Sequence, residues 1–291
     1  MCDSRFPAPA KLNLFLHVVG RRADGYHLLE SVFQLLDFGD TLDIRVRADG
    51  ALRRTLDLPG IALADDLVMR AAQLLKQHGG SRLGADIAVT KRIPIGGGLG
   101  GGSSDAATAL LALNRLWQLD LPRVELARLG LALGADVPFF IFGRNAFARG
   151  IGEELVGIDL PARWYAVIAP GCSVPTAQVF AAADLTRNSK SVKIEDFPAG
   201  AWSFPGSLFR NDLEPVVGRQ FAAVGQALGW LRGFDPGAVV TARMSGSGAC
   251  VFAGFALRDQ AQAVVDGLPA DWRGFVAAGL GVHPLMAYAR D

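Results

Sequence analysis

Residues 93–108 read IPIGGGLGGGSSDAAT, and the interpretation of the whole chain starts from this stretch. Six of the seven residues from 96 to 102 are glycines, and two serines follow them. Glycine loses more conformational freedom on folding than any other residue, so such a run is unfavourable unless the backbone must adopt positive φ or approach another group closely. A tight structural turn would need only one or two glycines. The run therefore predicts a loop whose backbone lies against a ligand.

The residues that flank the glycine run predict a strand before it and a helix after it. ADIAVTKRIP, residues 85–94, reads as a strand that leads directly into the loop. Over 104–118 apolar residues recur at helical spacing, with Ser103, Ser104 or Asp105 as the predicted N-cap. The first N–H groups of a helix have no intrahelical partner and carry the positive end of the helix dipole. This arrangement predicts a phosphate site.

Other segments predict an α+β chain with two domains. Strands are predicted at 11–20, 41–48, 164–171 and 249–255 from alternating or continuous apolar residues, and a helix at 65–80 with aspartate caps and a Gly79-Gly80 stop. The mixed order favours α+β architecture in both halves over a regular succession of βαβ units. A glycine-rich turn region at 150–157 predicts the boundary, giving domains 1–157 and 158–291.

Composition limits the classes of partner. Lys plus Arg total 29 against 28 for Asp plus Glu, so the net charge of +1 offers no global field for nucleic acid or an anionic membrane. The three cysteines are far apart and show no metal-ligand spacing, which predicts a reduced chain. No signal peptide or apolar run of membrane-spanning length is apparent. We therefore expect a cytoplasmic protein that acts on a small molecule.

The exact sequence of the glycine run distinguishes between the known kinds of phosphate-binding loop. The P-loop pattern fails because Ser103 stands where lysine should follow Gly102. Gly96, Gly98 and Gly101 match the dinucleotide pattern G-x-G-x-x-G, and Asp120 lies about 20 residues further on. That match is weak, since Asp120 follows a helix and not a second strand. The protein-kinase loop is also excluded, because no H-R-D or D-F-G motif follows.

In full, the stretch resembles the phosphate-binding motif of the GHMP kinases. The doubled glycine run before Ser-Ser is most similar to members that phosphorylate the 2-hydroxyl of an alcohol carrying a cytidine diphosphate group, in the non-mevalonate route to isoprenoid precursors. The resemblance implies ATP and Mg²⁺, and a two-domain fold with an N-terminal ATP-binding domain like domain 2 of ribosomal protein S5 and a C-terminal α/β-plait-like domain. It assigns these residues to ATP: Pro94, Ile95, Gly96, Gly97, Gly98, Leu99, Gly100, Gly101, Gly102, Ser103 and Ser104.

Two short motifs resemble the family's catalytic segments. PAPAKLNLFL contains Lys11, and LGADVPFFIFG contains Asp136. By the resemblance Lys11 is the catalytic cation, Asn13 lies close to the substrate and Asp136 receives the proton of the hydroxyl. The residues alone also allow an exposed lysine at a strand end and an aspartate that caps a helix or forms a turn. The metal ligands are not assigned, although Ser103 or Ser104 would be near enough to the phosphates to contact the metal or its water.

Further motifs indicate the substrate. In the family, the DGYH segment with Tyr26 and His27 faces the cytosine, and Thr176 and Phe180 of VPTAQVF close the other side. Phe180 is expected to stack the pyrimidine against Tyr26. Without the resemblance, Tyr26 and His27 could equally pack a hairpin end. Gly246 and Gly248 of the loop MSGSGAC offer N–H groups for the diphosphate or the transferred phosphoryl group, or form an ordinary turn.

Some features of the sequence fit other functions as well. Asp66 stands where the family pattern has Asn beside the adenine pocket, which leaves the adenine contacts open. A GHMP-type kinase of mevalonate or homoserine is the nearest alternative function, although a substrate without a base has no use for an aromatic sandwich. A dinucleotide-dependent oxidoreductase and a non-catalytic nucleotide-binding module are more distant. We expect a monomer or weak homodimer.

Overall fold

The computed structural model describes residues 4–193 and 209–291. Its strands are β1 (Ser4–Arg21), β2 (His27–Arg47), β3 (Leu52–Arg54), β4 (Gly84–Thr90), β5 (Ala146–Arg149), β6 (Glu154–Gly157), β7 (Trp164–Ala169), β8 (Val240–Met244), β9 (Val251–Phe255) and β10 (Arg273–Leu280). Its helices are α1 (Leu67–Gly79), α2 (Gly101–Leu116), α3 (Arg123–Leu131), α4 (Val137–Phe142), α5 (Thr176–Ala181), α6 (Glu214–Gln220), α7 (Ala222–Leu231) and α8 (Arg258–Asp266).

The strands form one predominantly antiparallel sheet. Its main order is β3-β4-β2-β10-β7-β9-β8, with β1 and β5 also paired to β2 and β6 paired to β5. A short antiparallel ladder between β10 and β2, with Gly279 opposite Leu36, joins the strands of the two halves of the chain. Within the described ranges the only parallel strand pair is β3 with β4. The predicted α+β class is confirmed, and a doubly wound parallel sheet is excluded.

The long strands follow from alternating side chains. On β2, Leu42 and Ile44 are buried, while Arg45 on the opposite face binds Asp86 of β4. A strand with one apolar and one charged face fits an antiparallel sheet covered by helices on one side. The predicted strand at 41–48 is thus the second half of a longer hairpin partner of β1.

Helix α1 follows its sequence signals closely. The side chain of Asp66 accepts hydrogen bonds from the backbone N–H groups of Val68 and Met69, which makes it the N-cap. Gly80 ends the helix in the left-handed conformation, at φ 64°. Both predicted ends are confirmed.

Helix α2 begins earlier than its side chains predict. Gly100 is the N-cap, with φ 72° and no side-chain cap hydrogen bond, so Ser103, Ser104 and Asp105 are helical residues and the predicted caps are wrong. Their side chains have other partners: Ser104 Oγ donates to the carbonyl oxygen of Pro9 at 2.7 Å, and Asp105 pairs with Lys91. The glycine run therefore opens directly onto the first turn of the helix.

Within the described residues three apolar cores pack against the strands. One packs α1 to α4 against β2 and β4, and a second packs α6 to α8 against β7, β8 and β9. The third consists mainly of side chains of β1, β2, β7 and β9. The predicted boundary between residues 157 and 158 stays a prediction. Cys172 and Cys250 are free thiols, whereas Cys2 lies outside the described residues. Among the helices of the described ranges, none has the length and apolar character needed to cross a membrane.

Candidate active site

The glycine run forms the loop between β4 and α2, and three of its glycines have positive φ: 70° at Gly96, 74° at Gly98 and 72° at Gly100. A Cβ atom on Gly98 would lie 2.1 Å from the backbone oxygen of Ser245. Both the backbone angle and the close approach therefore require glycine at this position. Bare backbone at the mouth of α2 leaves the unpaired first-turn N–H groups accessible to an anion.

A second loop, residues 245–248, packs against the glycine run. Cys250 N donates to Gly97 O at 3.0 Å, and Ser245 Oγ donates to Gly98 O at 3.0 Å. Gly246 and Gly248 both have positive φ, at 54° and 90°. The N–H of Gly248 donates to Ser245 O at 3.0 Å within the loop itself, so it is already occupied, contrary to the expectation that it would meet a phosphate.

Lys11 lies on β1, beside an irregularity in the β1–β2 register between Pro9 and Lys11. Its backbone N–H donates to Leu99 O at 3.0 Å, which ties the strand to the glycine loop. Its side chain is 4% exposed, and Nζ lies 3.3 Å from Asp136 Oδ2 and donates to Asn13 Oδ1 at 2.5 Å. The ammonium group also lies over the ring of Phe33, 5.0 Å from its centroid. Lys11 is therefore a buried, held cation and not an exposed lysine at a strand end.

Asp136 precedes α4 but caps nothing with its side chain. Its carboxylate is 33% exposed, so it is accessible to a substrate while it remains paired with Lys11. The interpretation of Asp136 as a structural helix cap does not hold. A partly accessible carboxylate within 3.3 Å of a buried ammonium can accept a proton from a hydroxyl while the cation stabilises neighbouring negative charge.

Asn13 is positioned by two serines that sequence reasoning missed. Its Nδ2 donates to Ser31 Oγ at 2.9 Å, and Ser31 Oγ in turn donates to Phe15 O at 2.6 Å. The backbone N–H of Asn13 donates to Ser245 Oγ at 3.2 Å. The Ser245 contact spans 232 residues of sequence, so no local pattern could reveal it.

A cavity of about 350 Å³ brings most of these residues together. Its lining includes, among the predicted site residues, Lys11, Asn13, Gly96, Gly98, Gly100, Ser103, Asp136, Thr176, Phe180, Gly246 and Gly248. A second cavity of about 290 Å³ follows the other side of the glycine loop, and its lining includes Pro94, Ile95, Gly96, Gly97, Gly98, Leu99, Gly100, Gly101, Gly102 and Ser103. Ser103 and alternate glycines thus face both cavities.

Ser104 lines neither of these two cavities. It is fully buried, and its hydroxyl donates to Pro9 O. The expectation that Ser104 contacts ATP or its metal through its side chain is therefore wrong, because the hydroxyl points toward β1. Ser103 is the serine that lies beside the loop.

Asp66 lies in the second cavity, where the family pattern has Asn. Its Oδ1 accepts the N–H groups of Val68 and Met69, at 2.9 and 3.3 Å, and its Oδ2 lies 3.4 Å from Arg54. The carboxylate is 3% exposed, so its oxygens are largely committed to the protein. In this chain the residue begins α1.

The predicted base site forms a third cavity of about 560 Å³, lined by Tyr26, His27, Thr176 and Phe180 among others. It shares Thr176 and Phe180 with the cavity that holds Lys11. The Phe180 ring stacks on His27, with centroids 5.0 Å apart and planes inclined by 26°. Tyr26 is 61% exposed. His27 thus covers one face of Phe180, and the expected stacking of the pyrimidine between Phe180 and Tyr26 stays a prediction.

Thr176, at the start of α5, connects the base cavity to the second glycine loop. Its Oγ1 lies 2.7 Å from Ser247 Oγ, at hydrogen-bond distance. Ser247 also lines the cavity that contains Lys11 and was missed by sequence reasoning. The contact holds α5 beside the loop that follows β8.

A cluster of three charges lies beneath the glycine run. Lys91 Nζ contacts Asp40 and lies 2.6 Å from Asp105 Oδ2. Burial raises the pKa of Asp105 to about 7, with Asp40 adding to the rise and Lys91 opposing it. Burial lowers the pKa of Lys91, but Asp105 and Asp40 more than offset this and leave it raised. Lys91 therefore stays charged while Asp105 titrates near neutral pH.

The donor set available for a metal is small. In the described part of the chain no group of three or more His, Cys, Asp or Glu side chains could hold a metal ion. Mg²⁺ in nucleotide sites is commonly bound by one or two carboxylates together with phosphate oxygens and water. One accessible carboxylate, Asp136, near a phosphate-type loop fits an ion that arrives with a nucleotide and does not fit an all-protein cage.

Sequence models of two domains match the chain. The GHMP kinases N terminal domain matches residues 66–144, and the GHMP kinases C terminal model matches residues 194–274. A 4-diphosphocytidyl-2-C-methyl-D-erythritol kinase of Ralstonia nicotianae is 59% identical over 283 residues, covering 97% of this chain and 96% of the relative. The protein of the same name from Burkholderia multivorans is 56% identical over 285 residues, with the same coverage.

Solved structures are similar over nearly the whole chain. A crystal structure of 4-(cytidine 5'-diphospho)-2C-methyl-D-erythritol kinase matches with a TM-score of 0.78 at 36% identity, covering 96% of this chain and all of that one. A homoserine kinase from Cytophaga hutchinsonii matches with a TM-score of 0.65 at 18% identity, covering 97% and 95%. The second likeness bears on the fold alone.

Proposed function

This chain belongs to the GHMP kinase family, and we propose that it transfers the γ-phosphoryl group of ATP to the 2-hydroxyl of 4-diphosphocytidyl-2-C-methyl-D-erythritol, giving the 2-phosphate and ADP. The reaction is a step in the non-mevalonate route to isoprenoid precursors. The main support for the proposal is that the glycine loop, the Lys11–Asp136 pair and the base cavity adjoin one another. The Lys11–Asp136 pair, separated by 3.3 Å, lies in a cavity bounded on one side by the glycine loop and shared on the other with the base cavity.

The glycine loop holds the phosphates of ATP. The first turn of α2 supplies N–H groups from Gly101 onward, and the positive-φ glycines keep side chains out of the space in front of them. Phosphoryl transfer needs little covalent chemistry from the protein, so positioning and charge stabilisation account for most of the catalysis. Ser103, which faces both cavities, lies where it could contact the phosphate oxygens.

Lys11 and Asp136 act on the transferred group and on the acceptor hydroxyl. Asp136 orients the hydroxyl and accepts its proton as the new P–O bond forms. Lys11 stabilises the negative charge that accumulates on the phosphoryl oxygens, a role that the loop cannot fill because it contains no lysine of its own. Asn13 fixes the Lys11 ammonium group through the bond from Nζ to Oδ1.

Bound together with ATP, Mg²⁺ would supply positive charge to the phosphates. Among the described residues that line the cavity with Lys11, Asp136 has the carboxylate that would bind the ion. Ser103 could contact the ion or its water. Cytoplasmic location and a monomeric or weakly dimeric state also remain predictions.

The cavity around Tyr26, His27 and Phe180 binds the cytidine end of the substrate. Two aromatic rings and an imidazole suit a base, since they combine a stacking surface with hydrogen-bonding groups. This feature argues against mevalonate or homoserine as the substrate, because neither contains a ring. Asp120 follows α2 with a φ of 51° and does not end a strand, so the dinucleotide interpretation also loses its ribose-binding acid.

The test is the identity of the product. The chain, ATP, Mg²⁺ and 4-diphosphocytidyl-2-C-methyl-D-erythritol are incubated together and followed by ³¹P NMR. We expect a new phosphomonoester resonance coupled to the erythritol skeleton, with the diphosphate resonances of the substrate intact. An unchanged substrate, or cleavage of its diphosphate, would exclude the proposed reaction.

A further inference from the structure

Arg187 lies in the segment after α5, and its guanidinium group connects both walls of the base cavity. Its Nε–H donates to His27 Nε2 at 3.1 Å. Its Nη2 donates to Phe180 O at 3.0 Å and Ala182 O at 2.7 Å, and its Nη1 donates to Leu185 O at 3.1 Å. One side chain therefore binds the carbonyl groups at the end of α5 and the imidazole at the start of β2.

The contact with His27 restricts the protonation of that ring. A guanidinium group has only donors and does not deprotonate in proteins. His27 Nε2 must therefore accept, which leaves the ring neutral with its proton on Nδ1. Burial lowers the pKa of His27, and the positive charges of Arg187 and Arg21 lower it further.

The other ionisable groups around the ring belong to the same turn. Arg21, Asp24 and Tyr26 line the base cavity with His27, and Asp24 accepts the N–H of Tyr26 and pairs with Arg22. Phe180 covers one face of the imidazole. The group that contacts a ring nitrogen of His27 in the described structure is Arg187, so Arg187 selects the tautomer.

A neutral imidazole with Nδ1–H is a directional donor. Cytosine presents acceptors at O2 and N3, whereas uracil has a donor at N3. The Nδ1–H of His27 can therefore donate to N3 of cytosine. Opposite uracil it would face the N3–H group, and two buried donors would then lack an acceptor.

We propose that Arg187 is a positioning residue that holds His27 against Phe180 as a neutral Nδ1–H donor and so sets the preference of the base cavity for cytosine over uracil. The proposal rests on the proposed function, since it concerns the base end of the same substrate. It adds a residue from a segment that sequence motifs left without a role.

The matched variants are Arg187→Lys, Arg187→Met and Arg219→Gln. Lysine keeps a cation but places all its donors on one nitrogen, so it cannot bind the carbonyl groups of α5 and His27 Nε2 together as the guanidinium group does. Methionine removes both contacts. Arg219 pairs with Asp184 on the surface, with both side chains 58% exposed, and it is not among the residues that line the base cavity, so Arg219→Gln controls for a loss of charge. Arg187→Lys keeps the test valid if Arg187→Met does not fold.

Binding of CDP and UDP is measured by calorimetry. Wild type and Arg219→Gln should prefer CDP, and Arg187→Lys should lose about tenfold in CDP affinity with little change for UDP, the cost of one misdirected hydrogen bond. An equal loss for both nucleotides would mean a merely structural role and would overturn the proposal, as would an unchanged ratio. If the wild type binds neither nucleotide, the base assignment in the proposed function fails as well.

The tautomer is read independently by ¹⁵N NMR of His27. In wild type at pH 7.5 we expect a protonated Nδ1 and an unprotonated Nε2. In Arg187→Met the population with Nε2–H should grow, and the pKa of His27 should rise because the positive charge of Arg187, which lowers it, is removed. If His27 has the same tautomer in wild type and in the Arg187 variant, Arg187 does not select the tautomer and the proposal is overturned, whatever the nucleotide affinities are.

Discussion

Lys11 and Asp136 differ sharply in their access to water. The ammonium group is almost fully enclosed and held by Asn13, whereas the carboxylate is one-third exposed. Such an arrangement keeps the cation fixed while the anion can be reached by a hydroxyl. Burying the Lys11 ammonium group costs free energy. Its position beside a cavity is therefore better explained by binding of an anion in that cavity than by a contribution to folding stability.

Replacement of Asp136 by Asn removes the proton acceptor and keeps the shape of the side chain. We expect kcat to fall by about 10²- to 10⁴-fold, the usual contribution of general acid–base catalysis, with a small change in the KM for ATP. Steady-state ADP release measures both. Asp271→Asn at an exposed position serves as control, and full activity of Asp136→Asn would remove this residue from catalysis and favour a binding module.

Lys11→Met removes the charge and keeps the length of the side chain. The expected loss is about 10²- to 10³-fold in kcat, since charge on the transferred group loses a preorganised partner. Folding is checked by the melting temperature, and Lys190→Met, at an exposed position, should retain wild-type kinetics. A variant that loses only ATP affinity, with kcat unchanged, would assign Lys11 to ground-state binding instead.

Individual residues show how far sequence reasoning reaches. Lys11 and Asp136 stood in recognisable motifs, and the structure brings them to 3.3 Å. Ser245 and Arg187 were missed, because their partners Asn13 and His27 lie 232 and 160 positions away. Contacts across such distances follow from the packing of the fold, which local spacing does not encode.

The glycine loop owes its shape to backbone conformations that other residues adopt at a cost. Gly98→Ala would place a Cβ atom 2.1 Å from Ser245 O and would also strain a φ of 74°. The backbone strain alone costs about 1–2 kcal/mol, and the clash forces the two loops apart. We expect a lower melting temperature and a raised KM for ATP.

Gly229→Ala is the matched control for that change. Gly229 is an exposed residue inside α7, and a Cβ atom added there would meet no other atom within 4 Å. Alanine should therefore stabilise the helix by up to about 1 kcal/mol. Equal effects of the two substitutions on the melting temperature would show that the loop tolerates a side chain, contrary to the geometry.

Helices α1 and α2 show when local signals suffice. The ends of α1 follow from Asp66 and Gly80, both of which act within the helix itself. The start of α2 could not be read from its serines, since Ser104 donates to a carbonyl on β1, 95 residues earlier in the chain. A serine or aspartate near a helix start caps the helix only if its side chain does not form a hydrogen bond or ion pair elsewhere in the fold.

The site lies where elements of both halves meet. β1 carries Lys11, the loop after β8 packs on the glycine run, and β10 joins β2 to β7. Residues from both halves of the chain therefore line the same cavity. The α+β class was predictable from the order of elements, but this joining of the halves was not, because it depends on a ladder between β2 and β10.

The free energy of unfolding of the whole protein should depend on pH through the titration of Asp105. Its pKa is raised to about 7 in the folded protein, so the folded state holds a proton that the unfolded chain releases near pH 4. The resulting contribution is complete at low pH and is lost as the pH rises through 7, with a slope of up to about 1.4 kcal/mol per pH unit.

Asp105→Asn should remove this dependence. The free energy of unfolding of the variant, relative to wild type, should increase from pH 5 to pH 8, as measured by urea denaturation. Asp57→Asn, at a side chain that is 99% exposed, should change nothing. A constant difference between Asp105→Asn and wild type over this range would contradict the raised pKa.

The most direct test of the account compares substrates. ADP formation is measured with 4-diphosphocytidyl-2-C-methyl-D-erythritol, mevalonate and homoserine under the same conditions, and kcat/KM is determined for each. We expect turnover of the cytidylyl substrate to exceed that of the other two by at least about 10³-fold, because only it fills the base cavity. Turnover of mevalonate or homoserine without turnover of the cytidylyl compound would contradict the account.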